Sequence, residues 1–205
     1  SIDAAKFADC MQEYLALGIH LFGGCCGTDP SFIRAMRQML DQKHPQDFPN
    51  PVVSRQACVC TPTCFVPIDR VRIIGERINP TGKKRLKQAI LEQDFDYILS
   101  QGLSQLEAGA QILDVNMGMP EVDESRMLPL VIQKLQGVLD APLQIDSSNV
   151  KAIEQALRLY NGKPIVNSVN GETETLEKIL PLCKKYGAAV VGLALDKGCL
   201  LYTSP

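Results

Sequence analysis

Two adjacent cysteines lie inside Gly23-Gly24-Cys25-Cys26-Gly27-Thr28. With glycines on both sides, no bulky neighbour prevents both thiolates from pointing at one ion. Thiolate sulfur suits Zn²⁺, and a tetrahedral site needs at least a third protein ligand from elsewhere. A thiol substrate in the fourth position would lose its proton and become a nucleophile. The plain alternative is two small side chains buried in a tight turn. A second cluster, Cys58, Cys60 and Cys64, has metal-like spacing but sits among prolines without His, Asp or Glu at ligand spacing. It reads as thiols with no dedicated metal. Cys10, Cys183 and Cys199 are scattered.

A third constellation is polar and carries no obvious nucleophile. Asp114 and Asn116, two apart, project to one side of a strand. Asp146 and Asn167 end the next two apolar runs. A carboxylate accepts from N–H groups, and a carboxamide both donates and accepts. Together they match a flat heterocycle with several hydrogen-bonding edges. Capping of helices at a barrel rim is the structural alternative. His20 falls inside an apolar run and His44 opens a proline-rich stretch, so neither suggests a ligand. No GxGxxG or GxxxxGK[ST] phosphate loop occurs.

The elements that must position these residues follow from periodicity. Residues 2–16 read as an amphipathic helix, 18–22 as a buried strand, and Asp29-Pro30 as the start of another helix. Prolines at 45, 49, 51, 62 and 67 mark residues 43–70 as an extended linker. Strands are then expected at 71–75, 111–116, 143–146, 164–168 and 188–195. Helices are expected between them at 83–108, 124–139, 149–160 and 173–186. This alternation means parallel βαβ units. Polar residues gather at successive strand ends: Glu76, Arg77 and Asn79, then Asp114 and Asn116, then Asp146, then Asn167. That row favours a (β/α)8 barrel over a doubly wound sheet, whose site sits at one switch point.

Composition narrows the classes. The 205 residues are 45% hydrophobic with net charge -2, enough for a core and without the basic surplus of a nucleic-acid or anionic-membrane binder. No apolar run reaches the roughly 18 residues of a membrane span, and no secretory signal opens the chain. Eight cysteines without such a signal point to a reducing, cytoplasmic setting and to ligands or reactive thiols rather than disulfides.

At this point the motifs resemble a known family. Gly23-Gly24-Cys25-Cys26-Gly27-Thr28 resembles the zinc signature that ends the homocysteine-binding barrel of homocysteine methyltransferases. Ile74-Gly75-Glu76-Arg77-Ile78-Asn79, Leu113-Asp114-Val115-Asn116, Gln144-Ile145-Asp146-Ser147-Ser148-Asn149 and Ile165-Val166-Asn167-Ser168 resemble a pterin-binding barrel. Zinc barrel, linker and pterin barrel, in that order, are similar to the cobalamin-dependent methionine synthase family. The resemblance implies an α/β fold of (β/α)8 TIM-barrel type with both barrels incomplete. Residues 1–42 would end the homocysteine (zinc) barrel, 43–70 would link, and 71–205 would begin the pterin barrel. It also implies a methyltransferase acting from 5-methyltetrahydrofolate, via cobalamin, to homocysteine. Cys25 and Cys26 would be two of three zinc ligands, the third lying upstream of Ser1. Asp146 and Asn167 would hold the pterin, with Asp114 and Asn116 lining the same pocket. Cobalamin would be bound by a domain of the same protein outside this chain. Residues 199–205 depart from the family's continuation. The other readings are a pterin-dependent methyltransferase serving a corrinoid protein, an enzyme like dihydropteroate synthase, and a non-catalytic metal-binding module built on Cys58, Cys60 and Cys64.

Overall fold

Asp3 and Asp29 each open a helix near the start of the chain. The Asp3 carboxylate accepts from Lys6 N at 2.8 Å ahead of α1 (Ala4–Ala16), and that of Asp29 from Ser31 N at 2.7 Å ahead of α2 (Pro30–Asp41). Each bond satisfies a backbone donor that the first helical turn leaves free. Pro30 takes the first helical position, where no N–H is needed. Phe7 and Phe32 meet edge to face, with ring centroids 5.5 Å apart, and join the two helices.

The computed structural model describes residues 2–19, 21–43, 56–196 and 199–200. They fall into two compact units, Ser1–Arg55 and Gln56–Pro205. The strand expected at 18–22 is not formed among the described residues of the first unit. A strand needs a neighbour to bond, and Leu21 is 92% exposed. His20 and His44 lie outside the described residues.

The second unit starts with an antiparallel hairpin, β1 (Cys58–Cys60) and β2 (Phe65–Pro67), where a linker is expected. Alternation decides its packing. Val59 and Val66 face inward onto Ile112 and Ile165, while the cysteines at 58 and 60 take the other face. The prolines at 62 and 67 sit in the turn and at a strand end, where a missing N–H does no harm.

Five parallel strands follow: β3 (Ile74–Ile78), β4 (Ile112–Val115), β5 (Leu143–Asp146), β6 (Ile165–Val169) and β7 (Ala189–Gly192). Their spatial order is their sequence order, so the described sheet has no switch point. This is the winding of a TIM-type barrel, of which the described residues form a part. Between the strands run α3 (Lys84–Glu92), α4 (Phe95–Glu107), α5 (Glu124–Gln136), α6 (Val150–Leu159) and α7 (Thr173–Tyr186). A short antiparallel pair, β8 (Leu195–Asp196) and β9 (Cys199–Leu200), follows β7. Among the described residues no helix is long and apolar enough to cross a membrane.

Several boundaries differ from expectation: the strand expected at 188–195 is Ala189–Gly192, and the helix expected at 124–139 ends at Gln136. The first parallel strand starts at Ile74 rather than at 71, because its register is set by Ile74 opposite Ile112; Val71 is left 91% exposed. The helix expected at 83–108 is two helices. Gln93 turns left-handed at φ 55°, and Asp94 restarts the chain by accepting from Tyr97 N at 3.1 Å.

The core lies between the outer face of the sheet and the helices. Leu113, Val115, Leu143, Ile145 and Val166 point into it, against Leu128, Ile132 and Leu135 of α5 and Ile153 and Ala156 of α6. The hairpin covers the end of the sheet where the strands begin, since Ile112 and Ile165 open β4 and β6. Tyr160 ties it down: its hydroxyl donates to Cys60 O at 3.1 Å and accepts from Leu143 N at 3.2 Å. Asp140 adds an anchor by accepting from Thr61 Oγ1 at 2.5 Å and Thr63 Oγ1 at 2.9 Å. Tyr160→Phe keeps the ring but strands the Leu143 N–H. It is expected to lower stability by about 1–3 kcal/mol, read as a drop in the urea midpoint at unchanged slope.

Candidate pterin site and thiol pair

The inner face of the sheet is set by strict alternation. Leu113 and Val115 go to the helices, so Asp114, and Asn116 just past the strand, turn inward. By the same rule Gln144 and Asp146 turn inward on β5, and Ile165 and Asn167 on β6. Register places Asp114 opposite Gln144 and Asp146 opposite Asn167. Two carboxamide–carboxylate bonds then cross from β4 to β5, one above the other. Gln144 Nε2 donates to Asp114 Oδ1 at 2.6 Å, and Asn116 Nδ2 donates to Asp146 Oδ2 at 2.9 Å. Asn116 is held from its other side too, since its Oδ1 accepts from Gly118 N at 2.8 Å.

A cavity of about 440 Å³ opens where β5 and β6 end. Asp146 and Asn167 line it, beside Ser147, Asn170, Lys178 and Leu193. Asp114 and Asn116 do not line this cavity; Asn116 reaches it through its bond to Asp146, and Asp114, bonded to Gln144, lies one level below. Ser147 joins the two lining strands, its N–H donating to Asn167 O at 3.2 Å. Sequence reasoning missed Gln144, Asn170 and Lys178. The signal for Gln144 was present: a polar residue two before Asp146 must share its face.

Asp114 is the perturbed group. It is 3% exposed, and that burial raises its pKa from the usual 3.8 to about 6. The hydrogen bond from Gln144 opposes the rise, the carboxylates of Asp146 and Glu76 add to it, and Lys83 opposes it. Lys83 stays close because its ammonium bonds Glu76 Oε2 at 3.0 Å, Glu76 O at 3.2 Å and Asn79 O at 3.1 Å.

In the first unit, Cys25 and Cys26 sit on an exposed loop with their sulfurs 3.8 Å apart. Two sulfurs bound to one tetrahedral Zn²⁺ at ~2.3 Å each would stand about 3.8 Å from one another, which the separation of this pair matches. Thr28 shapes the turn, its Oγ1 and N donating to Cys25 O at 2.5 and 3.1 Å. Gly27 supplies the φ of 82° that the turn requires. Hydrogen bonds from the Cys26 backbone and side chain lower the Cys25 thiol pKa. Among the described residues no group of three His, Cys, Asp or Glu side chains is placed to hold a metal, at Cys25 and Cys26 or at Cys58, Cys60 and Cys64. Cys64 is disfavoured as a thiolate, because burial raises its pKa.

A family profile described as pterin binding enzyme matches residues 75–199, more than half of the chain. The chain belongs to the pterin-binding enzymes. A second profile, homocysteine S-methyltransferase, matches residues 1–40. Among solved structures, a dihydropteroate synthase from Thermus thermophilus is 24% identical over 65% of this chain and 47% of that one, with a TM-score of 0.44. The 7,8-dihydropteroate synthase from Vibrio fischeri is 18% identical over 66% of this chain and 50% of that one, with a TM-score of 0.47. The chain spans about half the length of these structures.

The pKa of Asp114 makes a stability prediction. Because its folded value, near 6, exceeds the ordinary 3.8, the folded state binds this proton more tightly. The contribution is fully present below about pH 4 and is lost as pH rises through 6, by on the order of 3 kcal/mol. Asp114→Asn keeps an acceptor for Gln144 but cannot ionise. Urea midpoints measured from pH 4 to 7 are expected to fall more steeply in the parent protein than in Asp114→Asn; parallel curves would contradict the burial argument.

Proposed function

We propose that the protein carrying this chain transfers a methyl group from 5-methyltetrahydrofolate, by way of cobalamin, to homocysteine, forming methionine. One observation carries this reading: a homocysteine S-methyltransferase match at 1–40 is followed in the same chain by a pterin-binding match at 75–199. Neither a methyltransferase serving a separate corrinoid protein nor a dihydropteroate synthase accounts for the first segment.

In this reading the residues divide the work. Asp146 accepts from the N–H edge of the pterin, and Asn167, across the strand pair, donates and accepts at the same ring. Asn116 holds the Asp146 carboxylate in its plane. Fixing the ring fixes the direction of its methyl group. Cys25 and Cys26 supply two thiolates for zinc, the third ligand coming from outside the described residues. Zinc there would lower the pKa of the homocysteine thiol and favour the nucleophilic thiolate. Cobalamin would be held by a domain outside this chain. The small-molecule partners are homocysteine and methyltetrahydrofolate, and thiols that must stay reduced suit a cytoplasmic setting.

Titration calorimetry with 5-methyltetrahydrofolate tests the pterin half. Asp146→Ala is expected to weaken binding by roughly 10–100-fold, the range for hydrogen bonds to a charged group. Unchanged affinity overturns the assignment. Metal analysis tests the other half: Cys25→Ala is expected to reduce bound zinc and Cys60→Ala to leave it unchanged. Zinc that follows Cys58, Cys60 and Cys64 instead would overturn the assignment to Cys25 and Cys26.

A further inference from the structure

The layer beneath Asp146 contains a side chain that the function proposed above does not use. Gln144 lies opposite Asp114 in the β4–β5 register, on the inner face, and is 7% exposed. Its amide donates to Asp114 Oδ1 at 2.6 Å, the one side-chain hydrogen bond to that carboxylate among the described residues. One level up, Asp146 lines the cavity. Asp114 and Asp146 occupy neighbouring inward positions on adjacent strands, so the charge on one is felt by the other.

We propose that Gln144 is a positioning residue of the pterin site: through its hydrogen bond to Asp114 it governs the charge that lies beneath Asp146. The inference rests on the reading of Asp146 as a pterin ligand. A donated hydrogen bond favours the ionised carboxylate, and the donor here works against burial and like charge. The charged groups facing Asp114 are Asp146 on β5, Glu76 on β3 and Lys83 ahead of α3. Glu76 and Lys83 bond to each other at 3.0 Å, which limits the bias that either exerts alone. That leaves Gln144 as the neutral partner that opposes the rise burial imposes on Asp114. When Asp114 ionises, Asp146 gains a charged neighbour, and its attraction for pterin N–H groups changes with it.

The experiment follows two signals across pH 4.5–8 in the full chain. One is the affinity for 5-methyltetrahydrofolate; the other is the ¹³C carboxyl shift of Asp114, assigned by its loss in Asp114→Asn. Gln144→Met keeps length and volume but has no N–H. It is expected to move both inflections upward together, by roughly one pH unit or more. Gln144→Leu, which also lacks the donor, is the second variant if Gln144→Met does not fold, with the same direction of shift expected. Three results overturn the inference: a carboxyl inflection that does not move, a carboxyl inflection that moves while the affinity profile stays fixed, or affinity lost equally at every pH. A parent protein that binds no methyltetrahydrofolate overturns the proposed function, and this inference with it; the carboxyl titration still reports separately whether Gln144 controls Asp114.

Discussion

A carboxylate on the inner face of a parallel sheet has little water to bond, so it must find a donor on a neighbouring strand or keep its proton. That constraint orders the interior of the second unit. Asp114 and Asp146 each receive a carboxamide N–H from the adjacent strand, from Gln144 and Asn116 respectively. The two bonds run in opposite directions across β4 and β5, so each strand supplies one donor and one acceptor. A slip of either strand by one residue would turn its two polar side chains into the apolar layer against the helices. The polar ladder and the hydrophobic layer thus enforce the same register from opposite faces.

The two ends of the sheet have opposite chemistry for related reasons. Where the strands begin, inward positions are filled by Ile112 and Ile165, and the hairpin seals them with Val59 and Val66. Where they end, the same inward track carries Asp146 and Asn167 and opens on the cavity. Polar groups are tolerated there because solvent or a ligand can reach them. The glycine-flanked thiols of the first unit solve a different problem. Exposed and adjacent, they are held at ion-sharing distance by the turn that Thr28 and Gly27 make.

Much of this arrangement is legible in the residues themselves. Asp146 and Asn167 each interrupt an apolar run, and such interruptions in buried strands are rarely neutral. The helices at 124–136 and 173–186 announce themselves through an apolar stripe and a first-turn acid. What escapes is pairwise information. The spacing of Gln144 from Asp146 gives its face, but only its register with Asp114 reveals its partner. The break between α3 and α4 is hidden because Gln93 is not the glycine that a left-handed residue usually requires. The hairpin at 58–67 is masked by its prolines, whose positions in a turn and at an edge look like those of a linker. Among the described residues the strand expected at 18–22 does not form, for the complementary reason: an apolar run marks capacity for a sheet, and a strand still needs a partner.

Tyr160 bonds the first residue of β5 and Asn116 bonds the last. Four residues span only ~13 Å, and both ends of that span are fastened by side chains from elsewhere in the fold. β5 is therefore a strut with pinned joints. The Asp146 carboxylate at its tip is restrained at one oxygen by Asn116 once the chain folds. Preorganisation of this kind reduces the entropy that binding would otherwise cost.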